Sequence, residues 1–180
     1  MPPILRSVTR TSLIVACVGA VAASAVGGAG GSQIVRADGR IGSLRIDVST
    51  EARILALEGK PDRIENEFSP PRKSPVGHTL YYSCGRSCET AYSINNATGR
   101  LSDFETSSPR FLTAHGSHVG MRAAAAARRE RTRLVPGCGT GPYIHLRWDL
   151  HHAFVLTAWG GKVDQIIYLG PHSVYYDGLC

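Results

Sequence analysis

The residues with the clearest chemical potential lie in the stretch HLRWDLHH, residues 145–152. It contains His145, Asp149, His151 and His152, and imidazoles and carboxylates are the usual ligands of zinc. Three of these groups on one ion would suit a metal-dependent hydrolase. Adjacent side chains of an extended segment point to opposite faces, so His151 and His152 would rarely bind the same ion. The alternative is a polar turn that Asp149 initiates, and we favour the turn.

The cysteines are the second candidates for chemistry. Four remain once the N-terminal segment is set aside, and an even number in an exported protein predicts disulfides. Three pairings can be drawn, and the sequence does not choose among them; we favour Cys84–Cys88 and Cys138–Cys180. A four-ligand zinc site would need Cys-x2-Cys spacing, which is absent. A redox pair at Cys84 and Cys88 is a further alternative, although Cys-x3-Cys lacks the spacing that lowers a thiol pKa.

Two other polar motifs have simpler explanations than catalysis. HGSH, residues 115–118, offers Ser117 as a nucleophile beside histidines, but its surroundings supply no orienting third group and no oxyanion site. RRERTR, residues 128–133, places cations near a helix C-terminus, where they complement the helix dipole. The G-x-S-x-G motif and the glycine-rich phosphate-binding signatures are absent from the sequence.

Aromatic residues on the predicted strands are the candidates for a contact surface. Some must fill the core, and those facing away from the helices would be exposed on a rigid sheet, which protein interfaces favour. In the hairpin AFVLTAWGGKVDQIIYLG we expect Trp159 and Tyr168 to form such a surface.

The N-terminus has the pattern of a secretory signal, because Arg6 and Arg10 precede an uncharged apolar run. Residues 1–37 are predicted to be a signal peptide, or an uncleaved signal anchor, with a Gly-rich end. Small residues allow cleavage after Ala25 or after Ala37. Removal of this segment takes three of the 20 basic residues and none of the 14 acidic ones, which lowers the net charge from +6 to +3. The basic composition is therefore poor evidence for nucleic-acid binding.

Helix and strand signals alternate along the rest of the chain. STEARILALEG predicts a helix capped by Ser49 or Thr50 that ends at about Glu58, and MRAAAAARRERTR predicts a second from about Arg122 to Arg133. Alternation in RIENEF and branched or aromatic residues in the other segments predict strands in RIENEF, HTLYYSC, AYSI, LSDF, YIHLRW, AFVLTAW and KVDQIIYL. The second half repeats the order of the first. We therefore predict an α+β fold of two tandem units, residues 38–109 and 110–180, each a helix packed on a small antiparallel sheet.

Four stretches, in this order, resemble a known group of proteins: GSLRIDVSTEARILALEGKPD, TAYSINNATGRLSDFETSSPRF, TAHGSHVGMRAAAA and GGKVDQI. The group consists of uncharacterised exported bacterial proteins with tandem repeats similar to the β-lactamase-inhibitor-protein fold, which small outer-membrane-assembly lipoproteins share. The resemblance spans about Ile41 to Ile167. It implies protein binding without shared catalytic residues, so it assigns no site to this chain.

The sequence thus predicts a secreted or extracytoplasmic, disulfide-stapled and non-catalytic binding or structural module of the cell envelope. The alternative function is a metal-dependent hydrolase at the histidine-rich turn. We expect no cofactor and no nucleic-acid partner. An unidentified protein is the expected partner, and membrane attachment would occur only through an uncleaved signal anchor.

Overall fold

The computed structural model describes residues 32–69, 74–136, 141–149 and 151–173, which are dominated by β-structure. The elements in chain order are β1 (Gln33–Val35), β2 (Arg40–Ile41), β3 (Leu44–Arg45), α1 (Glu51–Glu58), β4 (Arg63–Glu67), β5 (Gly77–Gly85), β6 (Cys88–Asn95), β7 (Arg100–Thr106), β8 (Phe111–Thr113), α2 (Ala123–Arg129), β9 (Leu134–Val135), β10 (Tyr143–Trp148), β11 (Ala153–Trp159) and β12 (Lys162–Leu169).

Eight of the strands form one antiparallel sheet in the order β4-β5-β6-β7-β12-β11-β10-β9. The first four are consecutive in the chain, and so are the last four. They meet where β7 pairs with β12, through a seam that runs from Asp103 opposite Leu169 to Thr106 opposite Ile166. A smaller sheet has the order β3-β2-β1-β8, in which β1 and β8 are parallel.

The predicted fold class, an α+β fold of two separate helix-on-sheet units, is wrong. The described chain is mostly β-structure, and its two helices have only eight and seven residues. The predicted small sheets are joined into one. Had they stayed apart, β7 and β12 would each have left a row of unpaired backbone groups at a sheet edge, and their pairing removes both edges.

The first helix ends where predicted, but the predicted hydroxyl cap is wrong, since Thr50 at the N-cap makes no side-chain capping hydrogen bond and the Ser49 hydroxyl accepts the Arg45 N–H instead. α1 ends at Glu58, and Gly59 follows with a φ of 83° while its N–H donates to the Leu55 carbonyl at 3.0 Å. Glycine adopts this left-handed backbone without a steric penalty, which explains why the helix stops here.

The second helix is shorter than predicted, since α2 ends at Arg129 rather than near Arg133. Arg131 has a φ of 56°, a region that L side chains rarely occupy. The backbone N–H of Thr132 donates to the Ala127 carbonyl at 3.0 Å, which closes the helix end. Helix propensity favours the arginine-rich run, but the chain turns here to begin β9.

The main core lies between one face of the large sheet and the two helices. The strand register aligns a row of core side chains across five neighbouring strands: Leu80, Tyr92, Phe104, Tyr168 and Phe154. Ile54 of α1 and two alanines of α2 belong to the same buried cluster. Both helices therefore cover the same face of the sheet.

Strand β1 lies inside the segment that the sequence assigned to the export signal. Val35 is fully buried, and Gln33 to Val35 pair with β8. Cleavage after Ala25 would keep β1 in the mature protein, whereas cleavage after Ala37 would remove it. Residues 1–31 lie outside the described part of the chain. Within the described part, no helix combines the length and the hydropathy required to span a membrane.

Candidate binding face on the large sheet

The sheet face opposite the two helices, here called the outer face, is the candidate functional site. The register places one row of it across seven strands: Arg63, Tyr81, Ala91, Glu105, Ile167, Val155 and His145. Neighbouring strands lie about 5 Å apart, so adjacent members of the row can interact. The row is charged or polar on β4, β5 and β7, has a small alanine on β6, and is largely apolar beyond the seam.

The apolar half of the outer face is not available for binding. Tyr143, Ala153, Val155, Ile167 and Leu169 form a second buried cluster there. The exposed part of the outer face therefore lies on β4 to β7 and is here called the exposed half, although Glu67 and Asp103 on these strands are buried.

A groove of about 420 Å³ lies on this exposed half. Tyr81 and Glu89 line one side of it, and Glu105 and Gln165 line the other. Ala91 pairs with both Tyr81 and Glu105, so its small side chain lies between them. The amide of Gln165 donates to a carboxylate oxygen of Glu105 at 2.6 Å.

An arginine of the edge strand shows how this face holds a cation. The Arg63 guanidinium lies over the Tyr81 ring, 3.8 Å from its centroid. It forms ion pairs with Glu65 and with Glu89, the latter at 3.1 Å. A tyrosine face flanked by carboxylates is a favourable environment for a guanidinium.

The Glu105 carboxylate, on the side of the groove away from the sheet edge, lies near other negative charges. Glu105 is exposed to water, yet the surrounding walls remove part of its hydration, and the carboxylates of Glu89 and Asp164 lie near. This partial burial, followed by the two like charges, raises the pKa of Glu105.

A second acidic group, Asp103, is buried on β7 two residues before Glu105. Asp103 accepts hydrogen bonds from the Ser102 hydroxyl at 3.0 Å and the Gly170 N–H at 3.2 Å. Burial is the main reason that its pKa rises to about 7, and the negative charge of Glu67 adds to the shift. On the neighbouring strands of the same face, the Thr79 hydroxyl donates a hydrogen bond to the Glu67 carboxylate.

A disulfide closes the rim of the groove. Cys84 and Cys88 are bonded at the tip of the β5–β6 hairpin, with their Cα atoms 5.0 Å apart. This is the pairing that we favoured for these two residues. Cys138 and Cys180 lie outside the described residues.

Replacement of both Cys84 and Cys88 by alanine is expected to lower the free energy of unfolding by about 2 kcal/mol, as the loop is short. Denaturant titration of the variant and the parent protein measures the loss. Both should carry Cys138→Ser and Cys180→Ser, so that only this bridge differs. An unchanged midpoint would mean that the bridge does not form.

The histidine-rich stretch forms a turn. Asp149 accepts the backbone N–H groups of His151 and His152, both at 2.9 Å, and the side chain of Arg147 at 2.6 Å. These hydrogen bonds, led by the one from His151, lower the pKa of Asp149. The carboxylate is therefore used to fix the turn.

The stretch does not bring its histidines together. His145 lies on the outer face, where it is opposite Val155, and partial burial lowers its pKa. The ring of His152 packs instead near Tyr168, whose side chain belongs to the main core. In the described part of the chain, no three histidine, cysteine, aspartate or glutamate residues are grouped to hold a metal ion.

The two aromatic candidates for a contact surface differ in position. Trp159 is 67% exposed at the end of β11. Tyr168 is only 1% exposed, and its hydroxyl donates to the Ala37 carbonyl at 3.2 Å. Tyr168 therefore fills the core, and its ring is not accessible to a partner.

The serine–histidine motif has no catalytic arrangement among the described residues. Ser117 is fully buried, and its hydroxyl has no hydrogen-bond partner there. His115 lies 2.9 Å from a carboxylate oxygen of Glu130, whereas His118 bonds the Val119 carbonyl. Each histidine is therefore oriented by a group other than Ser117.

None of the groove carboxylates is among the site residues predicted from the sequence. Their signal is the alternation of acidic residues with core residues: Asp103 and Glu105 flank Phe104 in LSDFET, and Glu89 begins a similar pattern in CETAYSI. Acidic residues at every second position of an interior strand indicate a polar face that is separate from the main apolar core.

Comparisons with known proteins indicate fold similarity alone. No family model matches the chain. No curated protein matches it either. The solved structure of the uncharacterized protein yfeY from Escherichia coli is similar with a TM-score of 0.50 and 12% identity, over 77% of this chain and 99% of that one. An extracellular protein containing a SCP domain from Bacillus anthracis str. Ames gives a TM-score of 0.45 and 11% identity, over 69% of this chain and 44% of that one. This chain thus spans less than half of the second protein.

Proposed function

We propose that this protein is an exported, non-catalytic binding or structural module of the cell envelope that binds a protein partner through the exposed half of its outer face. The groove between Tyr81 and Glu105 is the observation that carries the proposal. It combines an aromatic side chain, the carboxylates of Glu89 and Glu105, and a floor of small side chains on a rigid sheet. Such surfaces are suited to recognition by shape and charge.

The proposed location outside the cytoplasm rests on two features of the chain. The N-terminal sequence has basic residues followed by an apolar run, as export signals do. The Cys84–Cys88 bridge is of a kind that persists in oxidising compartments. The resemblance to exported proteins that bind other proteins supports the same function.

The test is site-specific photo-crosslinking in intact cells that make the protein. A photoreactive residue replaces Ser83 on the groove rim, and a control chain carries it at Arg53, which is exposed on α1. We expect one discrete adduct from position 83, its loss on adding Glu105→Lys, and no such adduct from position 53. Mass spectrometry identifies the partner. The proposal is rejected if both positions give the same products, or if position 83 gives none.

A further inference from the structure

Among the residues that the structure describes, cations do not balance the charge on the exposed half of the outer face. Within that part of the chain, four carboxylates lie on or beside the groove, on Glu65, Glu89, Glu105 and Asp164, against the single guanidinium of Arg63. Arg86 is in the disulfide loop but does not line the groove. This half is therefore acidic although the chain as a whole is basic.

The unbalanced charge is concentrated at the side of the groove away from the sheet edge. Arg63 forms ion pairs with Glu65 and Glu89. Glu105 is bonded by a neutral amide, and Asp164 accepts the Thr157 hydroxyl at 2.7 Å. In the parts of the chain that the structure describes, neither carboxylate has an ion pair with lysine or arginine. The pKa of Glu105 is raised in part by Glu89 and Asp164, as expected where negative charge lacks a counterion.

The spacing across the groove suits a flat or elongated cation. Tyr81 and Glu105 are separated by one strand, whose residue at this level is Ala91. Two strand spacings amount to about 10 Å, and the alanine leaves that space open. Arg63 already shows a guanidinium held by Tyr81 and a carboxylate on this face.

We infer that the groove binds an arginine side chain of the partner protein, with Glu105 as its main anchor and Tyr81 and Glu89 as its walls. This inference rests on the proposed function and specifies the partner's chemistry. A guanidinium offers several donors in one plane, which matches carboxylates placed on both sides of the groove. A basic segment is thus the complementary ligand, and an acidic or purely apolar segment is disfavoured.

The test uses the full mature protein and three short glycine–serine peptides that differ at one position, which is arginine, citrulline or glutamate. Amide chemical shifts followed by nuclear magnetic resonance report binding. We expect saturable shifts around Ala91, Glu105 and Gln165 with the arginine peptide alone. Glu105→Gln keeps a hydrogen-bonding group beside Gln165 and should weaken the affinity about tenfold. Asp38→Asn, which removes a charge from the β1–β2 turn, should have little effect.

Each outcome decides for or against the inference. Equal binding of the citrulline peptide, or equal weakening by Asp38→Asn and Glu105→Gln, would overturn it, because the groove would then not select a guanidinium. Absence of binding while the position-83 crosslink persists would overturn the inference and leave the proposed function intact. Loss of the crosslink as well would reject both. Unchanged amide spectra away from the groove confirm that each variant is folded.

Discussion

The free energy of unfolding is expected to fall by about 4 kcal/mol between about pH 4 and pH 8 through Asp103 alone, and Asp103→Asn should abolish this contribution. Burial raises the pKa of Asp103 from its ordinary value of 3.8 to about 7 in the folded protein, and each tenfold change in proton affinity is worth about 1.4 kcal/mol. Asp103 is 4% exposed, so solvent does not screen this shift.

The direction of the effect follows from proton binding. Between about pH 4 and pH 7 the folded state keeps the Asp103 proton while the unfolded chain releases it. The associated stability is complete below the unfolded pKa and is lost as the pH rises through the folded one. An asparagine does not titrate, so the variant should gain stability relative to the parent as the pH increases.

Asparagine can be accommodated at this position. Its amide oxygen can accept the Gly170 N–H, as Asp103 does at 3.2 Å. The Ser102 hydroxyl also donates to the Ser93 carbonyl at 3.1 Å, so it is able to accept an amide hydrogen. Denaturant titrations over the pH range compare the parent, Asp103→Asn and the surface control Asp38→Asn. In the control, the free energy of unfolding should still fall with increasing pH as it does in the parent. Parallel curves for the parent and Asp103→Asn would show that this group does not titrate as described.

Phe104→Ala is expected to destabilise the protein by about 3–5 kcal/mol, the usual loss for a large buried aromatic residue. Phe104 is 1% exposed at the centre of the large sheet. Its ring lies 5.4 Å from that of Tyr92 and 5.0 Å from that of Phe111, so its removal breaks a continuous aromatic column.

The matched control for this prediction is Phe68→Ala, because Phe68 is 55% exposed. Its effect should be within about 0.5 kcal/mol of zero. If Phe104→Ala does not fold, Phe104→Leu gives an intermediate loss that denaturant titration can still measure. A Phe104 effect no larger than that of Phe68 would contradict the described core.

Local elements were predictable from the sequence because their signals are local. Branched and aromatic residues, among them Val163, Ile166 and Tyr168, are frequent enough to mark KVDQIIYL as a strand, and it is β12. Gly59 marked the end of α1 through its backbone freedom. Arg131 carried no such signal, so helix propensity overextended α2.

The seam between β7 and β12 could not be predicted in this way. Nothing in the neighbourhood of Asp103 or Leu169 specifies that they are opposite each other, since their pairing depends on the whole sheet. The same limit explains the wrong position predicted for Tyr168. Strand β12 is covered on both faces, so the alternation of its side chains does not distinguish core from surface. The groove depends on this seam too, because it brings Gln165 beside Glu105.

The seam also affects how the chain can fold. The strands within each half pair with their sequence neighbours, whereas β7 must wait for β12, which is made much later. Closing such a long loop costs entropy before any contact repays it, so we expect slow assembly of the complete sheet. Until β12 arrives, β7 is an unprotected edge that can pair with another chain. The step most vulnerable to aggregation is therefore the interval between synthesis of the first half and docking of the second.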